Sequence, residues 1–204
     1  MQCLASMSKT KRQIIALVAV VGSGGAFLWY FEYGPRTREV ATVEAAEVTG
    51  RGFAISVPQG FEVVKDARMK SVTDAGGVAL ASTGRTGSAS AASRGFKASI
   101  VVIPVPTAWD GDPASEAACA QIAQGSAASV AATVVRQQIV QASWGSTCQY
   151  ELVEKDRPAR GAVGTVVYKG TSMWVVTCNL NPQDGRARAA CDEVLRSWKF
   201  SASG

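Results

Sequence analysis

The sequence predicts an α+β domain, an antiparallel sheet covered by helices, preceded by one transmembrane helix. Three observations carry this. An unbroken apolar run follows three cations near the start, short period-2 runs separated by turn residues fill most of the rest, and two later segments read as helices. At 204 residues the chain has room for one ordinary domain and a tail, and too little for two sizeable cores. Apolar residues at 47% and charged residues at 18% place it among chains that fold.

Residues 1–12 read as a cytoplasmic N-terminus and 13–33 as a transmembrane signal anchor. From Ile14 to Phe31 about 18 positions carry no charge, roughly 27 Å as a helix and close to the hydrocarbon thickness of a bilayer. Lys9, Lys11 and Arg12 precede the run and predict that this end stays inside, while Trp29, Tyr30 and Tyr33 gather at the far end, where aromatic rings favour the interface. The expected location is the inner membrane, single-pass and N-in, with the C-terminal domain in the periplasm or cell exterior. A signal peptide cleaved near Ser23 and Gly25, giving a secreted product, and a buried core helix are the other readings. Cleavage would leave "AFLWYFEYG" as a very apolar new N-terminus, whereas an anchor uses those residues in place. Gly22 and Ala26 have the small-xxx-small spacing that permits close helix approach in lipid; a homodimer through this face and a helix facing lipid both stay open. Cys3 precedes the run and is therefore no lipoprotein cysteine; a start at Met7 would remove it.

Residues 34–50 are mixed in charge and read as a tether, so the extracytoplasmic domain is expected at 51–204. "GFAISVP" alternates Phe53, Ile55 and Val57 on one side, the period of a strand ended by Pro58. "GGVALAS" and "FKASIVVIP" are two further strands, joined by "TGRTGSASAASRG", which has no apolar period and suits a loop. Asp112 as N-cap, Pro113 in the first turn and Glu116 at the positive end of the dipole predict a helix from there to about Ala132. Its apolar face, Cys119, Ile122, Ala123 and Val130, is padded with alanine and suits close packing on a sheet. "TVVRQQIVQA", "TCQYELVE", "AVGTVVYKG" and "SMWVVTCNL" then form a meander whose short turns favour antiparallel pairing. A last helix from Asp184 or Arg186 puts Cys191, Val194, Leu195 and Trp198 on one stripe.

The cysteines after the apolar run are Cys119, Cys148, Cys178 and Cys191, an even number that an oxidising compartment would let pair. Cys178 and Cys191 flank a strand-to-helix turn, while Cys119 falls in a helix and Cys148 in a strand. The favoured pairing is therefore Cys178 with Cys191 and Cys119 with Cys148, against four small buried hydrophobes. No C-x-x-C spacing and no histidine suit zinc.

The element order, the opening "FAISVPQGF", the meander ending "MWVVTCNL" and the finish "DEVLRSWKF" resemble the Mog1/PsbP-like domain over about residues 51–201. The resemblance implies an α/β/α sandwich and a binding or assembly role, with no shared active site. The long Gly/Ser/Ala loop and the four cysteines depart from the family's simplest pattern.

Composition narrows the chemistry further. Without histidine, Ser-His-Asp and Cys-His pairs and the usual base near neutral pH are missing. "GRTGSAS" lacks the lysine of a phosphate loop and leads into no helix. The net charge is +5, and setting aside residues 9–32 leaves 18 basic against 15 acidic residues, scattered and without interleaved aromatics, so nucleic acid is not expected. "EKDRPARG" reads as a solvated hairpin. Neither a metal nor a cofactor nor a catalytic residue is expected. Trp109 and Trp144 lie in loops, where a large aromatic anchors a protein partner or packs over the sheet end, whereas Trp174 and Trp198 suit the core. The expected function is a non-catalytic, membrane-anchored accessory or assembly module for a protein partner. The alternative is a small-molecule-binding or hydrolytic domain with a cleft near Asp110 and Asp112.

Overall fold

A computed structural model describes residues 42–43, 45–65, 69–82, 98–105, 112, 114–180 and 185–201. The expected anchor with Lys9, Lys11, Arg12, Gly22, Ala26, Trp29, Tyr30 and Tyr33 lies outside them, as do Trp109, Asp110, Pro113 and the loop from residue 83. Among the described residues the strands are β1 (Thr42–Val43), β2 (Glu47–Gly50), β3 (Phe53–Ser56), β4 (Phe61–Val64), β5 (Val78–Ser82), β6 (Ser99–Val105), β7 (Ala132–Ala142), β8 (Gly145–Glu154), β9 (Arg157–Lys169), β10 (Ser172–Leu180) and β11 (Lys199–Phe200). The helices are α1 (Lys70–Asp74), α2 (Glu116–Ser129) and α3 (Gly185–Arg196).

Period-2 alternation sorts the central strands into two apolar faces. β10 reads Met173, Val175 to one side and Trp174, Val176, Cys178 to the other, and all five are buried. It sits in the middle of an eight-stranded antiparallel sheet of order β1-β4-β5-β6-β10-β9-β8-β7, next to a three-stranded sheet of order β11-β3-β2. On the first face α2 lays Cys119, Ile122, Ala123 and Ala127 against Cys148, Tyr150, Leu152, Val166, Met173 and Val175. The short α1 covers Ala79 and Val101 beside it with Met69 and Val72. On the second face α3 and the small sheet bury Phe53, Ile55, Ala187, Cys191, Val194 and Trp198 against Val163, Val167, Trp174, Val176 and Cys178. Helices therefore cover both faces of a mostly antiparallel sheet, the arrangement expected.

The two long helices, α2 and α3, are each tied covalently to the strand beneath them. Cys119 of α2 is bonded to Cys148 of β8, with Cα atoms 5.3 Å apart, and Cys178 of β10 is bonded to Cys191 of α3, with Cα atoms 6.1 Å apart. All four are at most 2% exposed, so they are inaccessible to exchange and act as staples. Buried polar groups are matched on the α2 face. The single Ser126 proton goes to the Ile122 carbonyl (2.8 Å), so Tyr150, 3.0 Å away, donates its own to Ser126 Oγ. Burial raises the Tyr150 pKa, partly offset because the Ser126 hydroxyl can turn its own proton to the phenolate once Tyr150 ionises.

Three expectations need correction. The tether of residues 34–50 contains β1, which pairs with β4, and β2, which pairs with β3, so the domain begins before Arg51. These strands escape notice because β2 is four residues long and half exposed. The central helix starts one turn later than expected. Ser115 is its N-cap, accepting the Ala118 N–H at 3.2 Å, while Asp112 instead closes an Asx turn by accepting the Ala114 N–H at 2.9 Å. That helix also ends at Ser129, before the expected Ala132, because Ala131 takes φ of 52° to turn the chain directly into β7. The strands β4 and β11 and the helix α1 are additions that the period-2 and helical patterns did not reveal.

Candidate functional site

One end of the large sheet gathers the turns β7–β8 and β9–β10, the β2–β3 turn and the strand β11. Antiparallel register brings Gly145, Lys169, Ser172 and Val105 to this end. The side chains it collects are aromatic. Phe53 of β3 stacks on Trp198 (centroids 4.7 Å apart, planes at 15°), and Trp174 meets Trp198 edge-on at 5.8 Å. Phe200 lies 5.6 Å from Trp174 and 6.2 Å from Trp198. Trp144, at the tip of the β7–β8 turn, folds back over the sheet so that its ring lies 6.3 Å from Trp198. Offset and edge-to-face pairs of this kind each add about 0.5–1.5 kcal/mol beyond the area they bury.

Backbone geometry makes room for the cluster. Gly52 has φ of 80°, and a Cβ there would lie 2.7 Å from Trp174 Cζ2, so the β2–β3 turn passes directly under the indole. The Arg51 carbonyl in that turn accepts the Trp174 N–H at 2.8 Å. The two neighbouring indoles differ. Trp144 Nε1 and Trp198 Nε1 are both buried and have no hydrogen-bond partner among the described residues, a state that costs about 1–3 kcal/mol per donor. Lys169, exposed on the rim, holds its Nζ 5.0 Å over the Phe200 ring. The end of the sheet thus offers aromatic surface and a cation, with the two indole N–H groups enclosed beneath it.

Of the residues singled out in the sequence, Trp144 comes to this cluster; it is half-buried, packed on the core as well as facing outward. Asp112 lies near the same end, beside Tyr168. The Tyr168 pKa is raised chiefly by burial and further by the Asp112 charge. Asp112 itself is exposed, with its carboxylate engaged by its own loop. Among the described residues no group of three His, Cys, Asp or Glu side chains is placed to hold a metal, and no helix is long and apolar enough to cross a membrane. Sequence reasoning missed Phe53, Lys169 and Phe200 as members of the site. A signal for one of them existed: Trp198 and Phe200 alternate around Lys199, the period of a strand leaving a helix.

A second polar feature lies on the α3 face. Arg188 of α3 reaches Glu151 of β8 with both guanidinium nitrogens, at 2.8 and 3.3 Å. The Arg188 hydrogen bonds, and to a lesser degree the charges of Arg188 and Arg136, hold the Glu151 carboxyl below its ordinary value against the opposing effect of burial. This pair ties α3 to β8, with Arg136 and Asp192 close enough to add their charges.

No family model matches the chain, and no curated protein matches it. Solved structures do. The Ran-binding protein Mog1p of Saccharomyces cerevisiae is 14% identical and has a TM-score of 0.51, over 79% of this chain and 96% of its own. A mutant of Mog1 is 15% identical with a TM-score of 0.50, over 80% and 96%. Cyanobacterial PsbP from Synechocystis sp. PCC 6803 is 10% identical with a TM-score of 0.48, over 82% and 100%. At such identities the likeness to the two Mog1 structures is one of architecture: the chain has the Mog1/PsbP-like fold.

Proposed function

We propose that this chain is a non-catalytic accessory or assembly module that binds a protein partner through the aromatic end of its sheet, held by residues 13–33 at the outer side of the inner membrane. Residues 1–12 lie in the cytoplasm in this reading, the bilayer is contacted by residues 13–33, and Gly22 and Ala26 offer a helix-packing face there. The observation that carries the binding role is Trp144, half-buried at the tip of the β7–β8 turn, with exposed Lys169 over Phe200 at the same end of the sheet. A large aromatic side chain that keeps part of its surface in water is the kind on which protein interfaces concentrate binding energy.

Two further observations support the location and the absence of chemistry. Both disulfides belong to an oxidising compartment, and so favour an extracytoplasmic domain. A chain without histidine lacks the usual neutral-pH base. The fold is shared with a protein described as Ran-binding, which is consistent with a protein partner here. No observation favours a cleft built on Asp110 and Asp112, since Asp112 is exposed and serves its own turn.

The test is crosslinking in native membranes with the full chain, compared with Trp144→Ala and Trp109→Ala. The expected result is a crosslinked protein species that Trp144→Ala reduces at least about tenfold, the loss typical of removing one aromatic anchor. Recovery of no species above background, or of one indifferent to both substitutions, would overturn the reading. Trp144→Phe, which keeps a smaller aromatic ring, separates the loss of the indole's contact area from the loss of an aromatic side chain altogether.

A further inference from the structure

The outer edge of β7 carries a second surface, independent of the aromatic end. β7 is 11 residues long and pairs with β8 on one side; among the described residues no strand pairs with the other side. An unpaired edge offers a row of N–H and C=O groups to any extended chain, and proteins ordinarily guard against this with lysine, proline, brevity or a bulge. Here a bulge between Val134 and Arg136 disrupts only the first part of the strand. From Arg136 to Ala142 seven consecutive residues keep unbroken register with β8. They contain one charge, Arg136, and no proline. We propose that Arg136–Ala142 pairs antiparallel, about Ile139, with the same segment of a second copy of this chain, joining two sheets into one.

Self-complementarity selects a second copy as the occupant. In antiparallel pairing about Ile139, Gln137 meets Gln141 of the second copy, Gln138 meets its Val140, Arg136 meets its Ala142, and the two Ile139 side chains meet each other. Gln137 and Gln141 set amide against amide, where hydrogen bonds form across the strands, and Ile139 meets Ile139, while Gln138 lies against Val140. The lone cation meets a small neutral residue, so no like charges oppose. A twofold axis perpendicular to the sheet keeps each face continuous: residues 137, 139 and 141 stay on the α2 side in both copies, and 136, 138 and 140 on the α3 side. Gln137 and Gln141 are exposed in the single copy, while Ile139 and Val140 are half-buried and lose their remaining water contact on pairing. The contact is isologous and closes at two copies, the commonest symmetry among soluble oligomers.

The test uses two differently tagged full-length copies expressed together, one with Gln137→Cys and the other with Gln141→Cys, oxidised in native membranes. Opposed residues of an antiparallel pair have Cα atoms about 4.5–5.5 Å apart, within the span of a disulfide. The expected result is a mixed-tag dimer at least about fivefold more abundant than with Thr133→Cys in both copies, which lies beyond the bulge. Gln137→Lys with Gln141→Lys in both copies places like charges opposite each other twice and lowers dimer formation about three- to tenfold. Mixing that variant with Gln137→Glu, Gln141→Glu copies restores it. A mixed dimer no more abundant than the Thr133→Cys control, or cysteines that crosslink only to a different protein, would overturn the proposal.

Discussion

Gly164 of β9 lies directly opposite Tyr150 of β8, and the phenol ring lies across it. A Cβ added at Gly164 would come within 2.5 Å of Tyr150 Oη and closer still to the ring carbons, whereas ordinary contacts begin at 3.4 Å. Gly164→Ala therefore forces the ring back by about 1 Å or more, through a contact that is steeply repulsive. Nothing nearby yields readily: Tyr150 is 2% exposed, its hydroxyl is bonded to Ser126 of α2, and the Cys119–Cys148 staple holds that helix down. Overpacking costs about 1–3 kcal/mol, and breaking the Tyr150–Ser126 bond adds about 1 kcal/mol. The expected loss is thus about 2–4 kcal/mol, or a fall in Tm of roughly 5–15 °C for a domain of this size. Denaturant unfolding and calorimetry measure it. A double-mutant cycle with Tyr150→Ala isolates the cause, because Gly164→Ala made in that background, with the ring gone, should cost less than about 0.5 kcal/mol. A loss below about 1 kcal/mol in the otherwise unaltered protein, or additive effects in the cycle, would refute the claim that the ring is fixed over the glycine.

The two staples close loops of different length, 29 and 13 residues. On the chain-entropy account, replacing Cys119 and Cys148 with serine should cost about 3.6 kcal/mol, and the same change at Cys178 and Cys191 about 2.9 kcal/mol, an order that urea unfolding checks. Gly52→Ala strains the left-handed turn and collides with Trp174, so it should destabilise by about 1–3 kcal/mol and alter the near-ultraviolet tryptophan signal. Glu151 has a folded-state pKa below its unfolded value, so its stabilising contribution is present above the ordinary glutamate pKa and lost as pH falls through the lower, folded-state value. Glu151→Gln should therefore lower Tm at pH 7, by the equivalent of about 1 kcal/mol or less given the exposure of Arg188. The difference from the unaltered protein should shrink once pH drops below about 4.3. An unchanged difference at low pH would count against the Arg188 bonds as its cause.

Local pattern made some parts of this molecule legible and left others hidden. The α3 stripe of Cys191, Val194 and Leu195 and the alternation of Met173 to Cys178 are strong periodic signals, and the meander follows from them. The start of α2 lies one turn beyond its expected place: Asp112 has the chemistry of a cap, but Ser115 three residues on takes that role and Asp112 closes a turn. β2 stayed hidden because a four-residue edge strand carries too few residues to show a period. The aromatic site was the least legible. Phe53, Trp144, Trp174 and the neighbouring pair Trp198 and Phe200 come from four separate stretches of the chain, which only the tertiary fold brings together. That Trp144 folds back onto Trp198 depends on the tight β7–β8 turn, with Gly145 at φ of 127°, which residue type alone does not announce. The Glu151–Arg188 pair is hidden for the same reason, its partners lying 37 residues apart.

The central claim is that a protein partner docks on the aromatic end of the sheet, and positional photocrosslinking in living cells tests it most directly. A photoreactive side chain is placed at Ser143, exposed beside Trp144, and separately at Lys155, exposed on the β8–β9 turn at the opposite end of the sheet. The account predicts one discrete adduct from Ser143, lost when Trp144→Ala is added, and none from Lys155. Equal labelling from both ends, or an adduct from Lys155 alone, would contradict it.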